Sequence, residues 1–311
     1  MSEKELKKLD VQDDEIDLNQ LFTALWDNTI VICATALIFA AASVFYSLSL
    51  SDRYKSEVLL APVTSQGGLE LSGQLGGLAS LAGVNLGSDA QSDKTALALE
   101  ILKSREFIGR FVAKYDLFVP IMAAEGWDRA TDTLILDPEI YDDKSASWVR
   151  EVKAPFKPKP SLLETHVEFM KSFEATQDKT SGMVKISVEH FSPYLAQLWL
   201  QNLVKEINDE MRQRDLREAQ SSISYLNEQI KETNLSDLRT MLFSMIEEQT
   251  KTLMLANVRT EYVLKTVDPA VVPEIKSGPK RALIVIFVTF LGGFLASFVV
   301  LIRYFNRRTL G

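Results

Sequence analysis

Two uninterrupted apolar runs lie near the two ends of the chain. Residues 282–302 are 21 consecutive uncharged residues, fifteen of them Leu, Ile, Val or Phe, closed by Arg281 and Arg303. At about 0.3 to 0.6 kcal/mol per such residue at a helix centre, insertion into a bilayer is favoured by about 5 to 9 kcal/mol. At ~1.5 Å per residue the run reaches about 31 Å, the depth of the hydrocarbon core. Residues 29–50 form a weaker run of 22 uncharged residues, ten of them Leu, Ile, Val or Phe. A cleaved signal peptide is the rival for this first run, helped by the small residues Ala40, Ala41, Ala42 and Ser43. Such peptides open on a short basic segment, whereas here 28 residues precede the run and eight of them are acidic. The pattern predicts a membrane hairpin with both tails on one side. Its parts are a tail (1–28), a first span (29–50), a large domain (51–281), a second span (282–302) and a short tail (303–311).

Between the spans the period changes repeatedly. Leu18, Leu21, Phe22, Leu25 and Trp26 share one helical face behind a capping-box spacing at Asp17 and Gln20, which predicts a short helix lying at the membrane surface. Residues 54–63 mix aromatic, β-branched and leucine residues and read as a strand ended by Pro62. Residues 65–88 are glycine-rich and carry no charge but Glu70; lacking a lysine, they cannot form a P-loop, and predict an apolar loop. A helix follows from a cap at Ser92 or Asp93 to about Lys114. The stretch from Tyr115 to Pro160 is irregular, and residues 162–171 look helical.

Val184, Ile186 and Val188 alternate with Lys185, Ser187 and Glu189 behind a KTSG turn, which predicts a hairpin over residues 173–191. Ser192 followed by Pro193 is a strong helix start, and the helix it opens runs to about Glu232. After a break at residues 233–236, a second helix reaches about Asn257 with apolar residues at heptad-like steps. The pair predicts an antiparallel helical hairpin whose narrow stripes pack within the chain or against another copy as a coiled coil. Residues 261–267 read as a strand, so strands from both ends of the domain can pair. The fold class is an α+β membrane protein, with two transmembrane helices flanking a domain that has a membrane-proximal α/β base and a long projecting helical hairpin.

The chemistry is sparse. The chain has a single cysteine, Cys33, inside the first run, and two histidines, His166 and His190, too far apart in sequence to suggest a metal pair. No nucleophile-elbow, zinc-protease, CxxC or Walker pattern occurs. The reading is therefore of a non-enzyme with no catalytic residue, metal or cofactor. A formal net charge of −8 argues against a nucleic-acid partner. Lysine and arginine counts leave the orientation open, because the central segment is far longer than the loops to which such counting applies.

The stretch before the second span resembles the proline-rich signature of Wzz-type chain-length determinants, the class 1 polysaccharide co-polymerases, which runs P-x2-P-x4-SPK-x11-G-x3-G. Here Pro273, EIKS and then Gly278, Pro279 and Lys280 match, with Gly278 replacing serine; Gly292 follows eleven residues later, and Ala296 replaces the last glycine. Pro269 stands one residue early for the first proline. EIDLNQL before the first span, YKSEVLL after it and LGGLASLAG in the glycine-rich loop extend the likeness across the whole plan. The resemblance implies a Gram-negative inner-membrane protein with cytoplasmic tails, a periplasmic domain and a ring-like homo-oligomer. It would regulate O-antigen modal length in lipopolysaccharide synthesis, with a Wzy-type polymerase and lipid-linked polysaccharide as partners. The alternative within the family is a class 2 protein of capsule or exopolysaccharide export working with a separately encoded tyrosine kinase. The eight residues after Arg303 leave no room for a fused kinase, and neither tail has room for the signalling module of a two-span receptor. Gly292 with Ala296, and Gly293 with Ser297, are expected to leave a groove that packs against Ala36 and Ala40 of the first span or against a neighbour.

Overall fold

The computed structural model describes residues 25–63 and 89–309. The acidic N-terminal stretch, most of the expected surface helix and the glycine-rich loop lie outside the described residues. The chain divides into two compact units, one built from the two apolar runs and the other from residues 51–277.

In the first unit, α1 (Thr29–Ser49) and α8 (Arg281–Thr309) are both long and apolar enough to cross a membrane. They pack antiparallel: Gly293 lies against Ala36, while the Arg281 guanidinium donates to the Leu50 carbonyl at 2.9 Å. Three hydroxyls inside them turn back onto their own helices, Thr35 to the Val31 carbonyl, Thr289 to that of Val285 and Ser297 to that of Gly293. Such local bonds satisfy a polar side chain where no water is available.

The second unit is organised on a four-stranded sheet of order β6-β7-β1-β8, antiparallel throughout. Its strands are β1 (Tyr54–Pro62), β6 (Phe173–Gln177), β7 (Val184–His190) and β8 (Leu264–Asp268). The alternation predicted for β7 sets the register, with Val58 opposite Ile186 and Leu60 opposite Val184. Strands from the two ends of the unit do pair, β8 on β1, through a bulge at Leu59 and Leu60. One face of the sheet buries Leu60, Val184, Ile186 and Val188 under Trp199, Leu200, Leu203 and Ile207. These last four come from α6 (Pro193–Glu232), which Ser192 caps by accepting from the Leu195 N–H, with Pro193 in the first turn. Each fully buried aliphatic side chain contributes about 1.5 to 3 kcal/mol.

The helix expected to run unbroken to Lys114 is two helices, α2 (Asp89–Lys103) and α3 (Arg105–Lys114). Ser104 breaks it: its backbone is extended and its hydroxyl accepts from the Phe107 N–H, as an N-cap does. Ser92 and Asp93 are interior to α2 and are not its cap. After α3 come α4 (Phe118–Met122) and α5 (Leu162–Ser172), the latter opened by a full capping box of Ser161 and Glu164. The irregular stretch between them holds two small antiparallel pairs. They are β2 (Ala124–Asp128) with β3 (Thr133–Leu136), and β4 (Tyr141–Asp142) with β5 (Ser147–Trp148).

At about 1.5 Å per residue, the 40-residue α6 is about 60 Å long. Beyond Met211 only Ala219 and Leu226 on it are buried. The returning helix α7 (Ser236–Val258) buries only Ala256, near its end, and leaves Leu238, Met241, Phe243, Met245 and Met254 exposed. The heptad-like stripe is present, but packing within this chain covers little of it.

Candidate functional site

The signature residues fall on a return segment that leads out of β8, and then on α8. Proline has no N–H to give a ladder, so Pro269 and Pro273 keep the segment out of the sheet. Side chains fix it instead. The Ala270 carbonyl accepts from the Gln197 and Gln201 amides at 2.9 and 3.4 Å, and the Val271 carbonyl accepts from the Ser56 hydroxyl at 2.9 Å. Ser277 ends the segment with three bonds. Its N–H donates to the Arg53 carbonyl at 2.8 Å, and its single hydroxyl proton is shared between the Glu189 carboxylate at 2.6 Å and the Arg53 carbonyl at 3.1 Å. Lys276 pairs with Asp52 at 3.1 Å. The segment is thereby tied to the first residues of β1, the last of β7 and the first turns of α6. Gly278, Pro279 and Lys280 then lead into α8, where the Lys280 carbonyl accepts from the N–H groups of Leu283 and Ile284.

On α8, Gly292 and Ala296 share the face turned to α1. A Cβ at Gly292 would stand 2.5 Å from Cγ and 2.7 Å from Cβ of Phe39, so only glycine fits there. Ala296 and Val300 are buried one and two turns on, and Ser43 and Ser47 are buried on α1. The expected groove exists. Its occupants are Phe39 and Ala36, where the sequence suggested Ala36 and Ala40: the aromatic ring fills the space that glycine leaves, beyond the reach of an alanine methyl.

Two clusters in the second unit escaped the sequence reading. The first centres on Asn208, buried on α6. Its Oδ1 accepts from the N–H groups of Tyr262, Val263 and Leu264 at 2.9, 2.8 and 3.1 Å, and its Nδ2 donates to the carbonyls of Val204 and Leu264. One side chain thus fixes the chain entering β8. The second is an acidic edge of α6: Glu206 accepts from Lys114 and the Tyr115 hydroxyl, Glu210 from Arg110 and Arg214, and Asp215 from Lys94 and the Tyr262 hydroxyl. Although burial opposes it, Glu210's bonds to its two arginines hold its carboxyl below the usual carboxylate range. Burial, then the Asp215 bond, raises the Tyr262 phenol.

Both histidines have structural partners. His166 Nε2 bonds to the Lys103 carbonyl at 2.9 Å. His190 accepts at Nδ1 from the Ser192 N–H at 3.1 Å, which makes Nε2 the protonated nitrogen donating to the Pro120 carbonyl, also at 3.1 Å. Burial pushes its pKa down to about 4. Among the described residues no group of three His, Cys, Asp or Glu side chains could hold a metal ion.

Residues 14–115 match the family model for "Wzz: Chain length determinant protein". Tyrosine-protein kinase etk of Escherichia coli K12 is 28% identical over 127 residues, 39% of this chain, and etk of strain O157:H7 matches equally. The matched part is only 16% of those kinases. Among solved structures, the chain is similar to a full-length bacterial polysaccharide co-polymerase, at 15% identity and TM-score 0.40, over 94% of this chain and 99% of that one. It is also similar to a fragment of WzzB, a polysaccharide co-polymerase from Salmonella Typhimurium, at 11% identity and TM-score 0.31, over 73% and 100% respectively. Over residues 14–115, therefore, the chain is similar to the Wzz chain length determinant family.

Proposed function

We propose that this protein is a non-catalytic, homo-oligomeric regulator of polysaccharide chain length in the bacterial inner membrane, acting beside a Wzy-type polymerase on the O-antigen of lipopolysaccharide. The observation that carries the reading is the family match over residues 14–115, which covers the first span and β1. The placement of the signature supports it: Gly292 and Ala296 pack the two spans together, while Pro269, Pro273 and the GPK turn lead from the sheet to α8. In this reading the large domain is periplasmic and both tails are cytoplasmic. The exposed apolar stripes of α6 and α7 are covered by neighbouring copies, and a lipid-linked glycan grows alongside the assembly. The protein performs no bond chemistry; it sets how long the polymerase keeps its product.

A second reading is favoured by the likeness to etk: a class 2 role in capsule or exopolysaccharide export with a separately encoded tyrosine kinase. Deletion of the gene separates the two. The first reading predicts an altered lipopolysaccharide ladder with unchanged secreted polysaccharide, and the second predicts the opposite. A strain in which both polymers are unchanged would refute each of them.

A further inference from the structure

At the foot of the helical hairpin, α6 and α7 leave between them a cavity of about 610 Å³, within the roughly 300 to 1,000 Å³ typical of small-molecule sites. Lys205, Asp209 and Arg212 line it from α6, at the i, i+4 and i+7 spacing that puts them on one face. Arg212 is held in a fixed plane. One of its terminal nitrogens pairs with Asp209 at 2.8 Å, and the other donates to the Thr260 carbonyl at 2.7 Å. Its Nε is buried and has no hydrogen-bond partner. Opposite α6 stands Arg259; neither it nor Lys205 forms an ion pair among the described residues. Of the two acids on the wall, Asp209 is spent on Arg212, and Glu261 already accepts from the Thr266 N–H.

With the three cations Lys205, Arg212 and Arg259 set against the carboxylates Asp209 and Glu261, the recess keeps one positive charge in excess, in a chain whose net charge is −8. Its contrast with the other polar edge of α6 is sharp, for there every carboxylate is matched by a cation or phenol. The recess also holds uncommitted neutral groups. The Gln213 amide and Thr260 hydroxyl bond to nothing among the described residues, and Asn257, whose Nδ2 is used on the Leu253 carbonyl, keeps its Oδ1 free. One fixed cation, Arg212, and two unpaired ones beside spare amide and hydroxyl groups suit a ligand with one carboxylate and several hydroxyls.

We propose that this cavity binds an acidic saccharide, a sugar whose carboxylate meets Arg212, Arg259 and Lys205 and whose hydroxyls bond to Gln213, Thr260 and Asn257. The anionic character rests on the cations alone; the saccharide character rests on the polysaccharide reading above. Such a site would let the large domain hold the growing glycan near the sheet.

The test is calorimetric titration of the full-length protein in detergent with trigalacturonate, maltotriose or inorganic phosphate. Trigalacturonate is expected to bind, more weakly as salt is raised, and about tenfold or more tighter than either other probe. Lys205→Gln with Arg259→Gln, side chains that hold no other element in place, should lose about tenfold or more of that affinity with an unchanged melting temperature. Equal binding by the double variant, phosphate binding as tightly as trigalacturonate, or no trigalacturonate binding at all would overturn the inference. If trigalacturonate fails to bind while gene deletion still alters glycan length, only this site is lost. If it binds while deletion changes no polymer, the proposed function is lost and the site stands.

Discussion

His190 is the residue whose chemistry reaches furthest into the fold. Its two ring nitrogens tie the end of β7 to the start of α6 and to Pro120 of α4, and only the neutral ring can do both. Its pKa is about 4 in the folded protein against an ordinary value of 6.5. Above pH 6.5 both folded and unfolded states hold a neutral ring, and its contribution to stability is complete. As pH falls from 6.5 toward 4 only the unfolded state gains the proton, so stability is lost, by about 3 kcal/mol at the full extent. The melting temperature of the full chain in detergent should fall between pH 7 and pH 5, where carboxylates with lowered pKa such as Glu57 and Glu210 are still ionised. His190→Asn should flatten that dependence; a wild-type melting temperature constant over this range would contradict the assignment.

Asn208 is the corresponding case without charge. Asn208→Ala strands three N–H groups at the entry to β8, at about 1 to 3 kcal/mol for each one left unsatisfied. A loss of about 3 kcal/mol or more is expected, read as a fall in melting temperature. A surface-like change within about 0.5 kcal/mol would mean that water replaces the side chain. Nothing in the sequence singles this asparagine out. It stands among the polar residues of α6, and the N–H groups it accepts from lie more than fifty residues further along the chain.

At the scale of elements, what could be read from sequence was what a local signal encodes. Ser192 with Pro193 gives the start of α6, the period of two in residues 184–188 gives β7, and unbroken apolar runs give α1 and α8. The hairpins of residues 124–148 were missed although they share a local template with the one that was recognised. Asp128, Asp142 and Asp178 each accept from backbone N–H groups and from the hydroxyl three residues on, Thr131, Ser145 and Ser181. The next residue then has positive φ, at Asp132, Ala146 and Gly182. This is a turn followed by a left-handed residue, closing four-residue loops between Asp128 and Thr133 and between Asp142 and Ser147. Only Gly182 advertises it by residue type; Asp132 and Ala146 adopt it despite theirs.

The helix pair of the first unit carries the element-scale prediction. Lipid supplies no hydrophobic drive for helices to associate, so close contact such as that of Gly292 with Phe39 provides the attraction. Gly292→Leu with Ala296→Leu should leave insertion and protein level near normal, because leucine favours the membrane, yet separate α8 from α1. Glycan length distribution should broaden or shift on electrophoresis. Phe39→Ala should restore function to Gly292→Ala by vacating the space the new methyl needs. An unchanged distribution in the normally expressed leucine double mutant would show that this contact is not used.

For the whole molecule, the account depends on which side of the membrane the large unit occupies. Reporter fusions that are active only in the periplasm should be active after Asn234 and inactive after Gln12 and Leu310, and the reverse pattern would refute the assignment. The two-span plan was legible because hydrophobic runs need no tertiary context. The return segment was located by its prolines, but its fastening by Ser56, Gln197, Ser277 and Glu189 was not legible, since those ties join residues up to 224 positions apart. The central claim is that this protein sets polymer length without making or breaking a bond. Its most direct test is the lipopolysaccharide ladder of a deletion strain, with and without the gene returned on a plasmid. The modal cluster of chain lengths should disperse on deletion and return on complementation while polymerisation itself continues. A ladder identical in all three strains, or one with no polymer at all after deletion, would contradict it.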